Sequence, residues 1–124
     1  MEESEFKTLE EYLLRIPGIN GSIGKGVDEE GLWWIKFQID IRHVLAWNVV
    51  QEIGHIVNYL SIDERLPTIF YSVSPPPYMN GGPDDFLSWV IETSDKDFRP
   101  EKLKEWLEGR LPRPVEDEDK WKVD

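Results

Sequence analysis

The chain of 124 residues contains no cysteine, and this absence excludes several kinds of structure and chemistry. Disulfide bonds, thiolate nucleophiles and cysteine metal sites all need a thiol, so none of them operates here. A chain without cysteine also suits a reducing compartment. We therefore expect a cytoplasmic protein.

Long apolar runs are also missing. No run approaches the roughly 18 residues that a membrane-spanning helix needs. The first residues, MEESEFKTLEEYLLRIPG, are acidic and have no apolar h-region, so the sequence predicts no signal peptide. We expect no membrane association. The length and composition predict a single domain at residues 1–115, followed by an acidic C-terminal tail at residues 116–124.

Basic side chains are few. The chain has 14 Lys and Arg against 25 Asp and Glu, a net charge of −11. Binding to a nucleic-acid backbone depends on clustered Lys and Arg, so we expect no direct DNA or RNA binding. An acidic surface attracts cationic partners, and a basic protein is the partner that this charge favours. Solubility alone also accounts for an acidic surface.

Groups suited to catalysis or metal binding are scarce. The two histidines, His43 and His55, are twelve residues apart, which on one helix separates them by about 18 Å. Glu52 lies one turn from His55. This spacing suits a histidine general base that a carboxylate orients, but it is equally common on solvent-facing helix surfaces. The Gly24-Lys25-Gly26 segment lacks the spacing and the Ser or Thr of a phosphate-binding loop, and no serine has a G-x-S-x-G context. The sequence assigns no catalytic residue, metal or cofactor.

Apolar and aromatic residues are plentiful and predict the fold. Alternation over residues 32–41 predicts a strand with one buried face, and a helical period follows over residues 43–60. A helix over residues 9–16 with Thr8 as its N-cap, strands over residues 68–73 and 86–93, and a last helix opened by Pro100 complete the α-β-α-β-β-α order. The glycine-rich residues 18–31 are interpreted as irregular chain, with at most a short strand. This order indicates an α+β fold, a small and mainly antiparallel sheet with helices packed on one face.

A proline-rich connection joins the last two predicted strands. Three consecutive prolines at residues 75–77 stiffen it, and an Asn-Gly-Gly sequence then supplies the turn. Long connections between strands are more often functional than idle. Asp84 and Asp85 also suit a purely structural role in the turn. The candidate binding residues in this loop and on the neighbouring strands are Trp34, Tyr71, Tyr78, Met79, Asn80, Asp84 and Asp85.

Two segments carry a resemblance. SPPPYMNGGPDDFLSWVIE at residues 74–92 and EWLEGRLPRPV at residues 105–115 together resemble a family of short uncharacterised bacterial proteins. The similarity extends from about residue 31 to residue 115. It implies a small bacterial cytosolic protein, and it transfers no activity, ligand or catalytic residue.

Three functions follow as hypotheses. The first is a non-enzymatic protein-binding module of the immunity-like or inhibitor type, in which Trp34, Tyr78 and Met79 anchor a basic protein. The second is a small-ligand-binding protein or enzyme that uses a pocket under the loop at residues 74–85. The third is a homo-oligomer, such as a homodimer, whose exposed aromatic residues meet their own copies. Charge and composition favour the first.

Overall fold

A computed structural model describes residues 4–59, 66–73 and 86–122 of the chain. Its elements in chain order are helix α1 (Ser4–Leu13), strands β1 (Ile19–Val27) and β2 (Trp33–Asp40), helix α2 (Ala46–Gly54) with a π-helical continuation (His55–Tyr59), strands β3 (Thr68–Val73) and β4 (Phe86–Thr93), helix α3 (Pro100–Arg110) and a 3₁₀-helical turn (Glu118–Trp121). None of the helices within these ranges is long and apolar enough to cross a membrane.

The four strands form one antiparallel sheet in the order β1-β2-β4-β3. The predicted α+β fold is therefore confirmed, and β4 occupies the interior position that its two apolar faces favour. The helices pack against the face of β2 that carries its buried residues, which we call the inner face. The opposite side of the sheet is the outer face. The main inner-face and helical core residues are Trp33, Ile35, Phe37, Ile39, Phe70, Trp89, Ile91, Leu9, Leu13, Val49, Ile53, Leu103 and Leu107.

Helix α1 begins at Ser4, five residues earlier than predicted, so Thr8 lies inside the helix and does not cap it. The reason is Phe6, which is buried and meets the Trp33 ring edge-on with the ring centroids 5.9 Å apart. Phe6 extends the apolar stripe of Leu9 and Leu13 by one turn. Burial of this ring favours a longer helix than the capping-box pattern alone predicts.

Strand β1 occupies most of the segment that the sequence analysis interpreted as irregular. It runs for nine residues and pairs with β2 on both sides of a bulge between Asn20 and Gly24. Four steps along β1 there face only two along β2, and Gly21 within the bulge has a φ of +79°. A positive φ of this kind favours glycine, so one glycine of the segment serves the bulge itself.

The end of α2 caps the free edge of β3. The predicted apolar stripe of this helix is confirmed, since Val49 and Ile53 are buried. In the π-helical continuation, the Asn58 side-chain amide accepts a hydrogen bond from the Phe70 N–H at 2.8 Å and donates one to the Phe70 carbonyl at 3.3 Å. One side chain thereby satisfies both backbone groups of an edge residue, a protection against strand addition at this point.

Residues 116–122, the described part of the predicted acidic tail, lie against the domain. Trp121 is only 2% exposed, and its indole N–H donates to the Val115 carbonyl at 2.8 Å. The Asn48 side chain on α2 donates to the Trp121 carbonyl at 3.1 Å. The Arg15 guanidinium binds the Glu116 carboxylate at 2.8 Å. The acidic run at residues 116–119 is followed by a buried tryptophan, and burial of that indole holds the segment in place.

Candidate functional site

The structure describes two of the seven predicted binding residues, Trp34 and Tyr71, and it places both on the outer face. The other five lie outside the described residues, so their roles stay predictions; they are Tyr78, Met79, Asn80, Asp84 and Asp85.

The outer face carries exposed apolar side chains on β2 and β3, the two strands that flank β4. In the strand register, Glu92 of β4 lies opposite Trp34 of β2 on one side and Ile69 of β3 on the other. Neighbouring strands are about 4.8 Å apart, so the backbones of Trp34 and Ile69 are separated by about 10 Å. Trp34 and Tyr71 are each 37% exposed and Ile69 is 52% exposed. We call Trp34, Ile69, Tyr71 and Glu92 the outer patch.

Trp34 lies across the glycines of β1. A Cβ atom built on Gly26 would lie 2.6 Å from Cζ2 of the Trp34 indole, and one built on Gly24 would lie 3.7 Å from its Cζ3. The ring therefore covers the backbone of an edge strand that has no side chains of its own at these two positions. This packing gives Gly24-Lys25-Gly26 a structural explanation as a paired strand. It also holds one face of the indole on the sheet and leaves the other toward solvent.

Tyr71 is oriented by the carboxylate at the centre of the outer patch. Its hydroxyl donates a hydrogen bond to Oε1 of Glu92. This hydrogen bond, followed by partial burial, raises the pKa of Tyr71 above its ordinary value. The hydrogen bond holds the ring beside the Glu92 side chain with part of its surface exposed.

A cavity of about 510 Å³ adjoins the outer patch at one end of β3 and β4. Ile69 and Glu92 belong to both, and the remaining walls include Pro67 and Ser94. The Ser94 N–H donates to the Pro67 carbonyl at 2.8 Å, so these backbone groups are already paired within the protein. Glu92 is the ionisable side chain among the described residues that line the cavity. The site is therefore suited to a cationic group with apolar surroundings.

Sequence reasoning missed two members of the outer patch. The alternation that makes residues 68–73 a strand places Ile69 on the same face as Tyr71, so this pattern could have identified it. Glu92 has no comparable signal, because its position between Trp34 and Ile69 depends on the register of three strands.

The histidines have separate surroundings. The His43 ring accepts a hydrogen bond from the Leu45 N–H at Nδ1, with a length of 3.0 Å, and its Nε2 lies 3.9 Å from Oε2 of Glu118. His55 is exposed on the continuation of α2. In the part of the chain that the structure describes, no group of three or more His, Asp and Glu side chains is arranged to hold a metal ion.

In comparisons with known proteins, no family model, no curated protein and no solved structure matches this chain. The resemblance to short bacterial proteins stays a prediction. Function is therefore inferred from the geometry and charge of the chain itself.

Proposed function

We propose that the protein is a binding module that recognises a basic protein through the outer patch. The observation that carries this proposal is the position of Trp34, Ile69 and Tyr71 on one exposed sheet face, on the two strands that flank Glu92. Trp and Tyr are the usual anchors of protein interfaces because each buries a large area at a low entropic cost. Exposed apolar clusters on a sheet face are typical of such surfaces.

Charge complementarity identifies the kind of partner. The protein has a net charge of −11, and Glu92 supplies a carboxylate at the centre of the outer patch. An Arg or Lys side chain of the partner would enter the adjoining cavity toward Glu92, with its cationic group beside the exposed rings. The long-range field of the acidic protein would raise the rate of encounter with a basic surface.

This mode of action is that of an immunity-like or inhibitor-type protein in the bacterial cytoplasm. Such a protein acts by occupying a surface of its partner and needs no catalytic group of its own. The outer patch contains a carboxylate that is already hydrogen-bonded to a tyrosine, together with apolar side chains, and this set supports binding better than bond cleavage.

Capture with matched variants tests the proposal. Wild type, Ile69→Arg and Trp47→Ala would be immobilised and exposed to bacterial lysate at low and at high salt, and the bound proteins identified by mass spectrometry. Ile69 is exposed, so Ile69→Arg leaves the core intact, while Trp47 is a 55% exposed tryptophan outside the outer patch. We expect one basic protein to bind wild type and Trp47→Ala, to be lost from Ile69→Arg, and to be weakened by salt. Equal binding to Ile69→Arg would refute the assignment.

A variant at Lys36 is expected to speed association with the purified partner, whereas Ile69→Arg is expected to abolish binding. Lys36 is exposed on the outer face and lies opposite Val90, next to the row that contains Trp34. Lys36→Glu removes a positive charge that repels a basic partner, so we expect the association rate to rise by about two- to tenfold at low salt. Stopped-flow kinetics would measure it. A slower association would show that the partner presents negative charge at this surface.

The cavity supports a second candidate function, the binding of a small organic cation. Its volume of about 510 Å³ lies within the usual range of ligand sites, and Glu92 supplies the charge. In that case Glu92→Gln would abolish thermal stabilisation by the cation, and neither wild type nor Ile69→Arg would capture a basic protein. The two variants therefore separate the candidates.

A further inference from the structure

A second cavity lies away from the outer patch, between α1, the end of α3 and the segment that follows α3. Its volume is about 300 Å³. Tyr12 and Arg15 from the region of α1 line one side, and Glu105 and Glu108 of α3 line another. Arg113 contributes a further charged side chain. The cavity thus combines donors and carboxylates within a space that suits a small metabolite.

The Tyr12 hydroxyl is buried without a hydrogen-bond partner. Tyr12 is only 3% exposed, and its oxygen makes no hydrogen bond to any residue in the described ranges. Burial, and then the Glu108 carboxylate, raise the pKa of Tyr12 to about 12, so the group is a neutral donor at physiological pH. Buried polar atoms without partners are rare in folded proteins. Tyr12 also lines the cavity, so an acceptor on a bound ligand would be one partner for this hydroxyl.

The two arginines that line this cavity differ in the hydrogen bonds and ion pairs that they make. Arg15 is occupied, because it binds both oxygens of Glu116 at 2.8 and 3.1 Å. Arg113 makes no ion pair or hydrogen bond with the described residues. Its positive charge acts to lower the pKa of the Tyr12 hydroxyl, against the larger effect of burial. Arg113 and Tyr12 are therefore two donors at this cavity that form no hydrogen bond with the described residues.

The carboxylates narrow the class of ligand further. Glu108 accepts a hydrogen bond from Lys104 at 3.0 Å, and Glu105 lies 3.7 Å from Lys102, both in partly exposed pairs on α3. Exposed pairs of this kind are weak, so both carboxylates retain attraction for another cation. A doubly charged phosphate would be repelled by Glu105 and Glu108, whereas an ammonium group would be attracted.

We propose that this cavity binds a free α-amino acid, whose carboxylate accepts hydrogen bonds from Tyr12 and Arg113 and whose ammonium group faces Glu105 and Glu108. The site is independent of the outer patch, since none of its residues belongs to that surface. It would make the protein's stability respond to the supply of a small zwitterion.

Thermal-shift measurements on the full chain would test this site with a panel of free amino acids at millimolar concentration. Each would be paired with its amide, which lacks the carboxylate, and its N-acetyl derivative, which lacks the ammonium group. We expect at least one amino acid to raise the melting temperature and both derivatives to fail. No shift with any amino acid would overturn the proposal. An equal shift with phosphate, acetate or an N-acetyl derivative would also overturn it, because it would indicate a site for anions only.

Three variants test whether the amino acid binds in this cavity. Tyr12→Phe removes only the unpartnered hydroxyl, so we expect the ligand-free protein to be at least as stable as wild type and the affinity to fall about tenfold. Arg113→Gln should weaken binding by more than about tenfold, since it removes a charge-assisted contact. Lys7→Gln makes the same charge change at an exposed position of α1 outside the cavity and should leave the affinity unchanged. Full affinity in both Tyr12→Phe and Arg113→Gln, or a destabilised ligand-free Tyr12→Phe, would contradict the assignment.

Discussion

At the scale of single residues, the outer patch depends on a contact between Trp34 and Gly26. The indole lies so close to the β1 backbone that a methyl group at Gly26 would come within 2.7 Å of three of its atoms. Trp34 thus has two roles. It stabilises an edge strand that is poor in side chains, and it presents an aromatic surface to solvent. The replacement of Trp34 would therefore disturb both the fold and the proposed interface, and Ile69 is the cleaner position for testing binding.

A pair of glycine variants tests this packing. Gly26→Ala should lower the free energy of unfolding by about 1–3 kcal/mol, because the added methyl group forces the indole to move. Gly109→Ala is the matched control: Gly109 lies in α3 with no other group within 4 Å of the added methyl, so we expect a gain of about 0.4–1 kcal/mol. Urea denaturation of both variants would measure the difference. A Gly26→Ala protein as stable as wild type would show that the ring does not cover β1.

At the scale of elements, the segment after α3 completes the core. Trp121 sits among the core residues, and its carbonyl accepts a hydrogen bond from Asn48 on α2. The Arg15–Glu116 pair joins the same segment to the end of α1, and the hydrogen bond from Arg15 holds the pKa of Glu116 below its ordinary value. The charge of this segment is typical of a tail, but its tryptophan behaves as part of the domain.

Two tryptophan variants measure this contribution. Trp121→Ala should reduce the free energy of unfolding by about 3–5 kcal/mol, because it leaves a cavity at a buried position. Trp47→Ala, at a 55% exposed position, should change it by no more than about 1 kcal/mol. Chemical denaturation monitored by far-UV circular dichroism would give both values. Similar small costs for the two variants would mean that the segment is dispensable for the fold.

At the scale of the whole molecule, the net charge of −11 opposes compaction. The ion pairs among the described residues offset it only in part. Several of them are well exposed, such as Lys122 with Asp119 and Lys102 with Glu105. The excess of carboxylates would attract the proposed basic partner at long range, and it costs the isolated protein some stability.

Salt titration tests this balance. Raising sodium chloride from about 0.01 M to about 0.5 M shortens the screening length well below the size of the domain, so repulsion among the carboxylates weakens. We expect the melting temperature of the isolated protein to rise over this range while the affinity for a basic partner falls. Calorimetry and a binding titration on the same samples would measure the two effects. A melting temperature that falls with salt would show that attractive ion pairs outweigh the repulsion.

The sequence by itself determined the absence of thiol chemistry, the acidic charge and the elements whose signal lies within a few neighbouring residues. The alternation in β2, the helical stripe of α2 and the proline at the start of α3 are local patterns, and the structure confirms each of them. Only the tertiary structure decided that β1 is a strand, that Phe6 extends α1 and that Trp121 is buried. The same holds for Glu92 between Trp34 and Ile69, and for the cavity that Tyr12 and Arg113 both line. These features depend on contacts between residues that are distant in the sequence. Such contacts form only when the folded chain brings the residues together, so the pattern of neighbouring residues carries little signal for them.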